Sequence, residues 1–300
     1  MLRRLGPTDL ASLAGAGHGC AAAVAATALM QWAKRNPGRL DESFDGRLCL
    51  MSACSFAARG GHLEVLQWLH NTGCPWDGAT TSEAAGGGHL EVVQLAREHG
   101  CPWDASTCRN AAAYGHLETL KWLRKHDCPW NWLTCSNVAE DGHLEVLQWA
   151  REHDCPWNGA TCAYAALGGH LEMLKWAREH GCPWNEQTCA YAAELGHLEV
   201  LQWVREHDCP WDETTCEYAA MNGHLEVLRW AREHNCPWDE VTWAAAAARG
   251  HSDVLQFLRE HGCPKPEPEQ HSEDESEEEF AEESEGESED ESEDESEADI

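Results

Sequence analysis

Two short helical patterns alternate along most of the chain, and residues 196–222 contain one copy of each. The first is amphipathic, with apolar residues on one stripe of a helix and polar residues opposite. The stripe comprises Leu198, Val200, Leu201, Trp203 and Val204, and the polar face comprises Glu199, Gln202, Arg205 and Glu206. The second is rich in alanine, as in residues 188–193, and its paired alanines allow neighbouring helices to approach closely.

The dipeptide Gly-His precedes each amphipathic helix and recurs every 27 residues. The eight copies are Gly61-His62, Gly88-His89, Gly115-His116, Gly142-His143, Gly169-His170, Gly196-His197, Gly223-His224 and Gly250-His251. We therefore call the amphipathic element the Gly-His helix and the other the alanine-rich helix. A fixed period in this range is typical of a solenoid, in which one helix pair is copied and stacked. Such an architecture offers an extended surface, which favours binding over catalysis.

Local signals predict where these helices end and begin. The residue before each Cys-Pro tolerates a left-handed backbone, which ends a helix, and the proline prevents its resumption. These residues are Gly73, Gly100, Asp127, Asp154, Gly181, Asp208, Asn235 and Gly262. After the tryptophan of each Cys-Pro-Trp comes a residue suited to cap the alanine-rich helix. These caps are Asp77, Asp104, Asn131, Asn158, Asn185, Asp212 and Asp239.

Tryptophans recur at two positions of the unit. One ladder comprises Trp68, Trp122, Trp149, Trp176, Trp203 and Trp230, with Leu95 and Phe257 in the remaining repeats. The other comprises Trp76, Trp103, Trp130, Trp157, Trp184, Trp211 and Trp238. A single unit cannot bury its apolar face, so the stacking of units must supply the core. We interpret both ladders as part of that core.

The run Ala-Ala-x-x-Gly-His-Leu-Glu-Val-Leu-x-x-Leu-x-x-x-Gly-Cys, present with substitutions in every unit, resembles the ankyrin repeat over about 213 of the 300 residues. The resemblance implies an all-α, helix-turn-helix solenoid, an ankyrin-like superhelix that binds proteins. Two departures are consistent along the chain. The period is 27 rather than 33, and the Thr-Pro-Leu-His opening and the hairpin finger that the family builds between units are missing.

The resemblance divides the chain into three parts. We predict a degenerate capping segment at 1–51, the repeat array at 52–264 and a disordered acidic tail at 265–300. Within the first part, residues 2–13 also look like the later half of an F-box, which docks to a ubiquitin-ligase core, although the first half of that motif would be missing. A substrate-recognition subunit of a ubiquitin ligase is therefore the alternative function.

Charge restricts the classes of partner. The tail contains 20 acidic residues and one lysine, so it carries −19 of the chain's net −32. It cannot bury enough apolar surface to fold, and acidic residues follow its serines at the spacing that acidophilic kinases favour. No basic stripe is present, so we expect no nucleic-acid partner. Basic proteins are a second class of partner, through the tail.

Sixteen cysteines invite a disulfide or metal hypothesis. No secretory signal or membrane span is recognisable, so we expect reduced thiols, a cytoplasmic or nuclear location and no membrane association. Equivalent cysteines of adjacent units should lie about 10 Å apart, beyond the reach of a disulfide. A structural zinc repeat is a second alternative, but Cys-x-x-Cys never occurs and Thr81 and Trp243 replace the helical cysteine in two units. We interpret the cysteines as buried apolar residues, and the Gly-His histidines as turn-stabilising hydrogen bonders.

Specificity in a solenoid comes from positions that vary while the frame repeats. The two residues after the helical cysteine vary in this way, and by resemblance this helix lines the concave face. The candidate partner-binding residues are Arg109, Asn110, Asn137, Tyr164, Tyr191, Glu217 and Tyr218. The tyrosines suit a protein interface, and the alternative is that they pack between helices. Trp132 lies in a predicted turn, where we expect exposure.

No catalytic motif is recognisable. The chain lacks a phosphate-binding glycine loop, a nucleophile elbow and a single unrepeated cluster of His, Asp or Glu. We therefore predict a monomeric, non-enzymatic protein-protein interaction scaffold without a cofactor.

Overall fold

The computed structural model describes residues 54–71 and 73–266. This part of the chain is all-α and contains no strand. Its helices are α1 (54–59), α2 (Leu63–Asn71), α3 (Gly78–Gly86), α4 (Leu90–Glu98), α5 (Ala105–Ala113), α6 (Leu117–Lys125), α7 (Trp132–Glu140), α8 (Leu144–Glu152), α9 (Gly159–Leu167), α10 (Leu171–Glu179), α11 (Glu186–Glu194), α12 (Leu198–Glu206), α13 (Glu213–Met221), α14 (Leu225–Glu233), α15 (Glu240–Arg249) and α16 (Ser252–Glu260). The odd-numbered helices are alanine-rich and the even-numbered ones are Gly-His helices. The predicted helix-turn-helix solenoid is confirmed. The predicted F-box-like segment and acidic tail lie outside the described residues.

The residue before each Cys-Pro ends its Gly-His helix in the predicted left-handed conformation. Four of these residues carry side chains, and the φ angle of each is close to that of Asp127, at 60°. The Asp127 amide donates to the Arg124 carbonyl and the Cys128 amide donates to the Leu123 carbonyl. This pair of bonds is a Schellman motif, which satisfies carbonyls that the helix end would otherwise leave free.

The alanine-rich helices begin at the predicted caps. Six of the seven cap side chains accept a hydrogen bond from a backbone amide in the first turn, as Asp104 does from Ser106 at 2.8 Å. Asn185 has the same extended backbone, but its side chain makes no capping bond. Local chemistry at both ends therefore confines each of these helices, α15 excepted, to nine residues.

The core consists of leucine, valine, alanine and cysteine. Leu120, Leu147, Leu174, Leu201 and Leu228 are fully buried, and so are the paired alanines. The prediction that both tryptophan ladders form the core was wrong in degree, because the described indoles of both ladders are half-buried and pack against the core from its edge. Trp243, which takes the place of the helical cysteine in α15, is by contrast buried in the core.

Histidine joins one unit, an alanine-rich helix with the Gly-His helix that follows it, to the preceding unit, and cysteine joins the two ends of a single unit. Five Gly-His histidines, at 89, 116, 170, 224 and 251, hydrogen-bond through Nε2 to a backbone carbonyl 30 residues earlier, at 2.9–3.1 Å. We predicted that these histidines form turn-stabilising hydrogen bonds, and the acceptor lies at the end of the preceding alanine-rich helix. The Cys-Pro thiols donate to the cap carbonyl 24 residues earlier, as Cys182 does to Asn158 at 3.4 Å. The histidine bond repeats from unit to unit along the array, so it helps to set the displacement between units.

Candidate functional site

The alanine-rich helices expose one recurrent position to solvent. In α5, α9, α11 and α13 the cysteine and the paired alanines face the core and are buried, as are Cys135, Val138 and Ala139 of α7, which leaves the residue two places after the cysteine facing outwards. This position is half-buried and is occupied by Asn110, Asn137, Tyr164, Tyr191 and Tyr218 in successive units. The structure therefore brings five of the seven candidate residues together. We call Tyr164, Tyr191 and Tyr218 the tyrosine row.

The tyrosine rings form a continuous aromatic strip across three units. The ring centroids of Tyr164 and Tyr191 are 5.9 Å apart at an angle of 62°, and those of Tyr191 and Tyr218 are 6.5 Å apart at 13°. Each ring therefore contacts its neighbours along the array and keeps part of its surface in solvent. The rings pack on each other and also present a shared outer edge to solvent, whose role in partner binding stays a prediction.

Arg109 and Glu217 belong to a different row. They precede the residues of the tyrosine row by one position, which turns them by about 100° around the helix. Arg109 lies near the cap Asp104, whose pKa is lowered chiefly by hydrogen bonds from Ser106 and to a smaller extent by Arg109. Burial raises the pKa of Glu217, and the carboxylates of Asp239, Asp212 and Glu213 add to this effect. The seven predicted residues are therefore not one surface.

Two glutamates beside the tyrosine row were missed by the sequence analysis. Glu194 lies one helical turn after Tyr191, and Glu140 occupies the same place three residues after Asn137. Burial raises the pKa of the Tyr191 phenol, and further contributions come from Tyr164, Tyr218, Glu194 and Glu140. Burial and the neighbouring Asp141 also raise the pKa of Glu140. The i, i+3 spacing from the variable position is the signal that would have found both glutamates.

The helices that carry this surface have no basic residue. α7, α9, α11 and α13 contain five glutamates and neither lysine nor arginine. In the described part of the chain, ion pairs join Arg59 to Glu83, Lys121 to Glu118 and Lys175 to Glu172, and none involves these four helices. The carboxylates around the tyrosine row are therefore not neutralised by cations of the array.

Large apolar side chains are exposed at the ends of the alanine-rich helices. Leu195 follows Glu194 and is 52% exposed, and Tyr114 is 47% exposed with the Arg59 guanidinium 4.8 Å from its ring centroid. Trp132 is exposed as predicted, at 40%. It is the first residue of α7 rather than part of a turn. Leu195 extends the apolar part of the tyrosine surface at its edge.

The half-buried tryptophans form a second aromatic surface along the Gly-His helices, but its ring faces are already covered. The Arg97 guanidinium lies 3.9 Å from the Trp103 ring centroid, and the His126 ring stacks on Trp122 at 4.0 Å. Trp103 and Trp122 meet edge to face at 6.0 Å. The same arrangement recurs in later units, so arginine and histidine of the array itself occupy the faces that a ligand would need.

The cysteines lie in pairs inside six of the eight described units, a proximity that the sequence analysis did not anticipate. Cys54 and Cys74 are 2.7 Å apart between their sulfurs, and the helical cysteine of each later pair lies 20 residues before its partner. The pKa of Cys162 is raised by its hydrogen bond with Cys182 and then by burial, so the thiol stays protonated. Within the described ranges, all cysteines are buried and free, and no three His, Cys, Asp or Glu residues form a metal-binding group.

His116 makes the stability of the array depend on pH. Burial lowers the pKa of His116 and outweighs the opposing effect of its hydrogen bond to the Gly86 carbonyl, and His89 and His143 lower this pKa slightly further. The unfolded chain, with an ordinary histidine pKa of about 6.5, therefore takes up a proton first as the pH falls. The contribution of His116 is present above pH ~6.5 and is lost as the pH falls towards the folded-state pKa.

We expect the difference in unfolding free energy between wild type and His116→Gln to shrink as the pH is lowered from about 7.5 to 5.5. Urea titrations at several pH values measure this difference. The effects of all other titrating groups are common to both proteins, so they cancel in the difference. A midpoint below 6.5 for the His116 ring in an NMR titration would support the same cause. A difference that stays constant with pH would contradict it.

Comparisons with known proteins match this chain to other repeat proteins. Residues 189–230 and 216–259 match the family model described as ankyrin repeats (many copies). No curated protein sequence matches the chain significantly. Among solved structures, the human ASB11 ankyrin repeat domain is 16% identical, with 52% of this chain and 83% of that chain covered and a TM-score of 0.42.

The pentatricopeptide repeat protein PPR10 is a second structural neighbour. Its complex with an 18-nt psaJ RNA element is 16% identical, with 85% of this chain and 46% of that chain covered and a TM-score of 0.46. The PPR10 structure from maize is 17% identical, with 87% and 49% covered and a TM-score of 0.39. This chain therefore spans less than half of PPR10.

None of the helices between residues 54 and 266 combines the length and hydropathy that a membrane span requires.

Proposed function

We propose that the whole array, in which residues 189–259 match the ankyrin repeat model, is a non-enzymatic scaffold that binds a protein partner through its alanine-rich helices. The observation that carries the proposal is the row of half-exposed side chains on these helices. Its members change from asparagine to tyrosine along the array, while the buried cysteines and alanines of the same helices repeat. Variation on a constant frame is how a solenoid acquires specificity.

The packing of the helices supports binding on the concave side. Alanine-rich helices of neighbouring units pack against each other, whereas each Gly-His helix contacts mainly the alanine-rich helix of its own unit. A stack whose units lie closer on one side curves towards that side. The tyrosine row then faces inwards, where side chains of several units reach one ligand. Tyrosine suits this role, because it offers a large contact area and a polar hydroxyl with few rotatable bonds.

Proximity labelling in cells that express the full chain tests this function. We compare wild type with a triple variant of the tyrosine row, Tyr164→Ser, Tyr191→Ser and Tyr218→Ser. We expect the variant to lose a defined set of labelled neighbours, because half-exposed aromatic residues at the centre of an interface contribute most of its binding free energy. Circular dichroism and urea unfolding establish that the variant is folded.

The matched control is Gln148→Ser, Lys175→Ser and Gln202→Ser, which changes three half-buried residues of Gly-His helices in the same region. We expect this control to keep the neighbours of wild type. If the folded tyrosine variant also keeps all of them, the proposed binding face is wrong.

A further inference from the structure

We infer that the tyrosine row binds an extended peptide segment with basic side chains, arginine or lysine, at alternate positions. This inference rests on the proposed function and names the chemistry of the partner. Three observations carry it: the spacing of the rings, the uncompensated carboxylates beside them, and the contacts that arginine makes with aromatic rings elsewhere in the array.

The spacing of the rings matches an extended backbone. A β-strand rises about 3.3 Å per residue, so side chains at i and i+2 point to the same side and lie about 6.6 Å apart. The ring centroids along the tyrosine row are 5.9 and 6.5 Å apart. In an α-helix, by contrast, residues on one side recur every three or four positions at about 5 or 6 Å along the axis, and the crowded helix backbone cannot follow successive rings as closely. An extended segment therefore places one side chain over each tyrosine.

The charge of the surface selects a cation. Glu140 and Glu194 lie beside the row, and both contribute to the raised pKa of Tyr191. The pKa of Glu140 is itself raised by burial and by Asp141, which means that its negative charge is unfavourable in the array alone. A guanidinium or ammonium group from a partner would relieve this cost through charge-assisted hydrogen bonds. A phosphate backbone would increase it, and so would the chain's own acidic tail, which carries −19.

The array already shows how a cation and an aromatic ring combine in this fold. Arg97, Arg178 and Arg232 each hold a guanidinium 3.9 Å from the centroid of a tryptophan ring. The tyrosine row has the same kind of half-exposed ring but no arginine or lysine on its four helices. A partner's basic side chain would therefore occupy a place over tyrosine equivalent to the one that arginine occupies over tryptophan.

Two peptides of identical composition test the inference on the full chain. Fluorescein-labelled Gly-Ser-Arg-Ser-Arg-Ser-Arg-Ser-Gly has its arginines at alternate positions, and Gly-Ser-Ser-Arg-Arg-Arg-Ser-Ser-Gly has them consecutive. Fluorescence anisotropy at about 0.15 M salt measures both affinities, and the tail contributes equally to both because their charge is the same. We expect the alternate peptide to bind about tenfold more tightly, since its three arginines reach the three tyrosine rings and the two neighbouring carboxylates at once.

Removal of the Glu140 and Glu194 carboxylates provides the second part of the test. We expect Glu140→Gln with Glu194→Gln to abolish the preference for the alternate peptide. The matched control, Glu199→Gln with Glu226→Gln, removes the same charge from exposed positions of Gly-His helices and should retain the preference. Neither pair of substitutions touches the core.

The outcomes separate this inference from the proposed function. Equal binding of the two peptides, or a preference that survives Glu140→Gln with Glu194→Gln, would overturn the inference. If peptide binding fails in this way while the triple tyrosine variant still loses its labelled neighbours, the scaffold function stands and its partner is not a segment of this kind. If the tyrosine variant keeps every neighbour, the proposed function itself is wrong.

Discussion

Gly169→Ala should lower the unfolding free energy by about 3 kcal/mol, whereas Gly181→Ala should lower it by only about 1 kcal/mol. Both glycines have a left-handed backbone, with φ of 73° and 80°. A methyl group at Gly181 would meet nothing within 4 Å, but one at Gly169 would lie 2.6 Å from the His197 ring of the next unit. The cost of the left-handed conformation is common to both variants, so their difference measures the contact between units.

Urea unfolding followed by circular dichroism measures both values. A second variant, Gly169→Ala with His197→Ala, removes the obstructing ring, and its cost relative to His197→Ala alone should fall towards that of Gly181→Ala. Equal destabilisation by Gly169→Ala and Gly181→Ala would show that the Gly-His turns do not contact the next unit as closely as the structure indicates.

Leu174→Ala should be the most damaging single truncation in the middle of the array, at about 2–5 kcal/mol. Leu174 is fully buried between units, and its truncation to alanine leaves a cavity that the rigid helix pairs cannot close. Leu255 occupies the same place in α16, the last described helix, and is only half-buried. Leu255→Ala should therefore cost about 1 kcal/mol, because less apolar surface returns to water.

Thermal and urea unfolding of the two variants check this expectation. The two variants remove the same residue type from the same position of the repeat, one in the middle of the array and one in its last described helix. Their comparison therefore isolates the stabilisation that a following unit supplies. Similar losses for both variants would mean that each helix pair carries its own core, contrary to the stacked architecture.

The local signals of the sequence predicted the helices well. Asp127 and Gly181 both end a Gly-His helix with a left-handed backbone, although one has a side chain and the other has none. Asp104 and Asp239 cap alanine-rich helices as their residue type indicates. These predictions succeed because a cap or a helix end depends on atoms within about one helical turn, and the sequence specifies all of them.

Predictions about contacts between units succeeded less well. The tryptophans were interpreted as core because a repeated aromatic residue usually packs, but each ladder ring remains partly accessible at the edge of the stack. The histidines were interpreted as turn-stabilising hydrogen bonders without a named acceptor, and the structure shows that His224 reaches the Glu194 carbonyl, 30 residues earlier. Arg109 and Glu217 were grouped with the tyrosines because they are adjacent in sequence, and the helix turns them onto another row.

The period of 27, the turn residues and the caps determined that this chain is a stack of short helix pairs. The tertiary structure alone decided which side chains of different units meet. It brings Glu140 beside the tyrosine row, joins His224 to the Glu194 carbonyl and places arginine over tryptophan. The physical reason is that such contacts depend on the displacement from one unit to the next. That displacement is set by the packing of small buried residues and by hydrogen bonds between units. The spacing of residues along the sequence does not specify it.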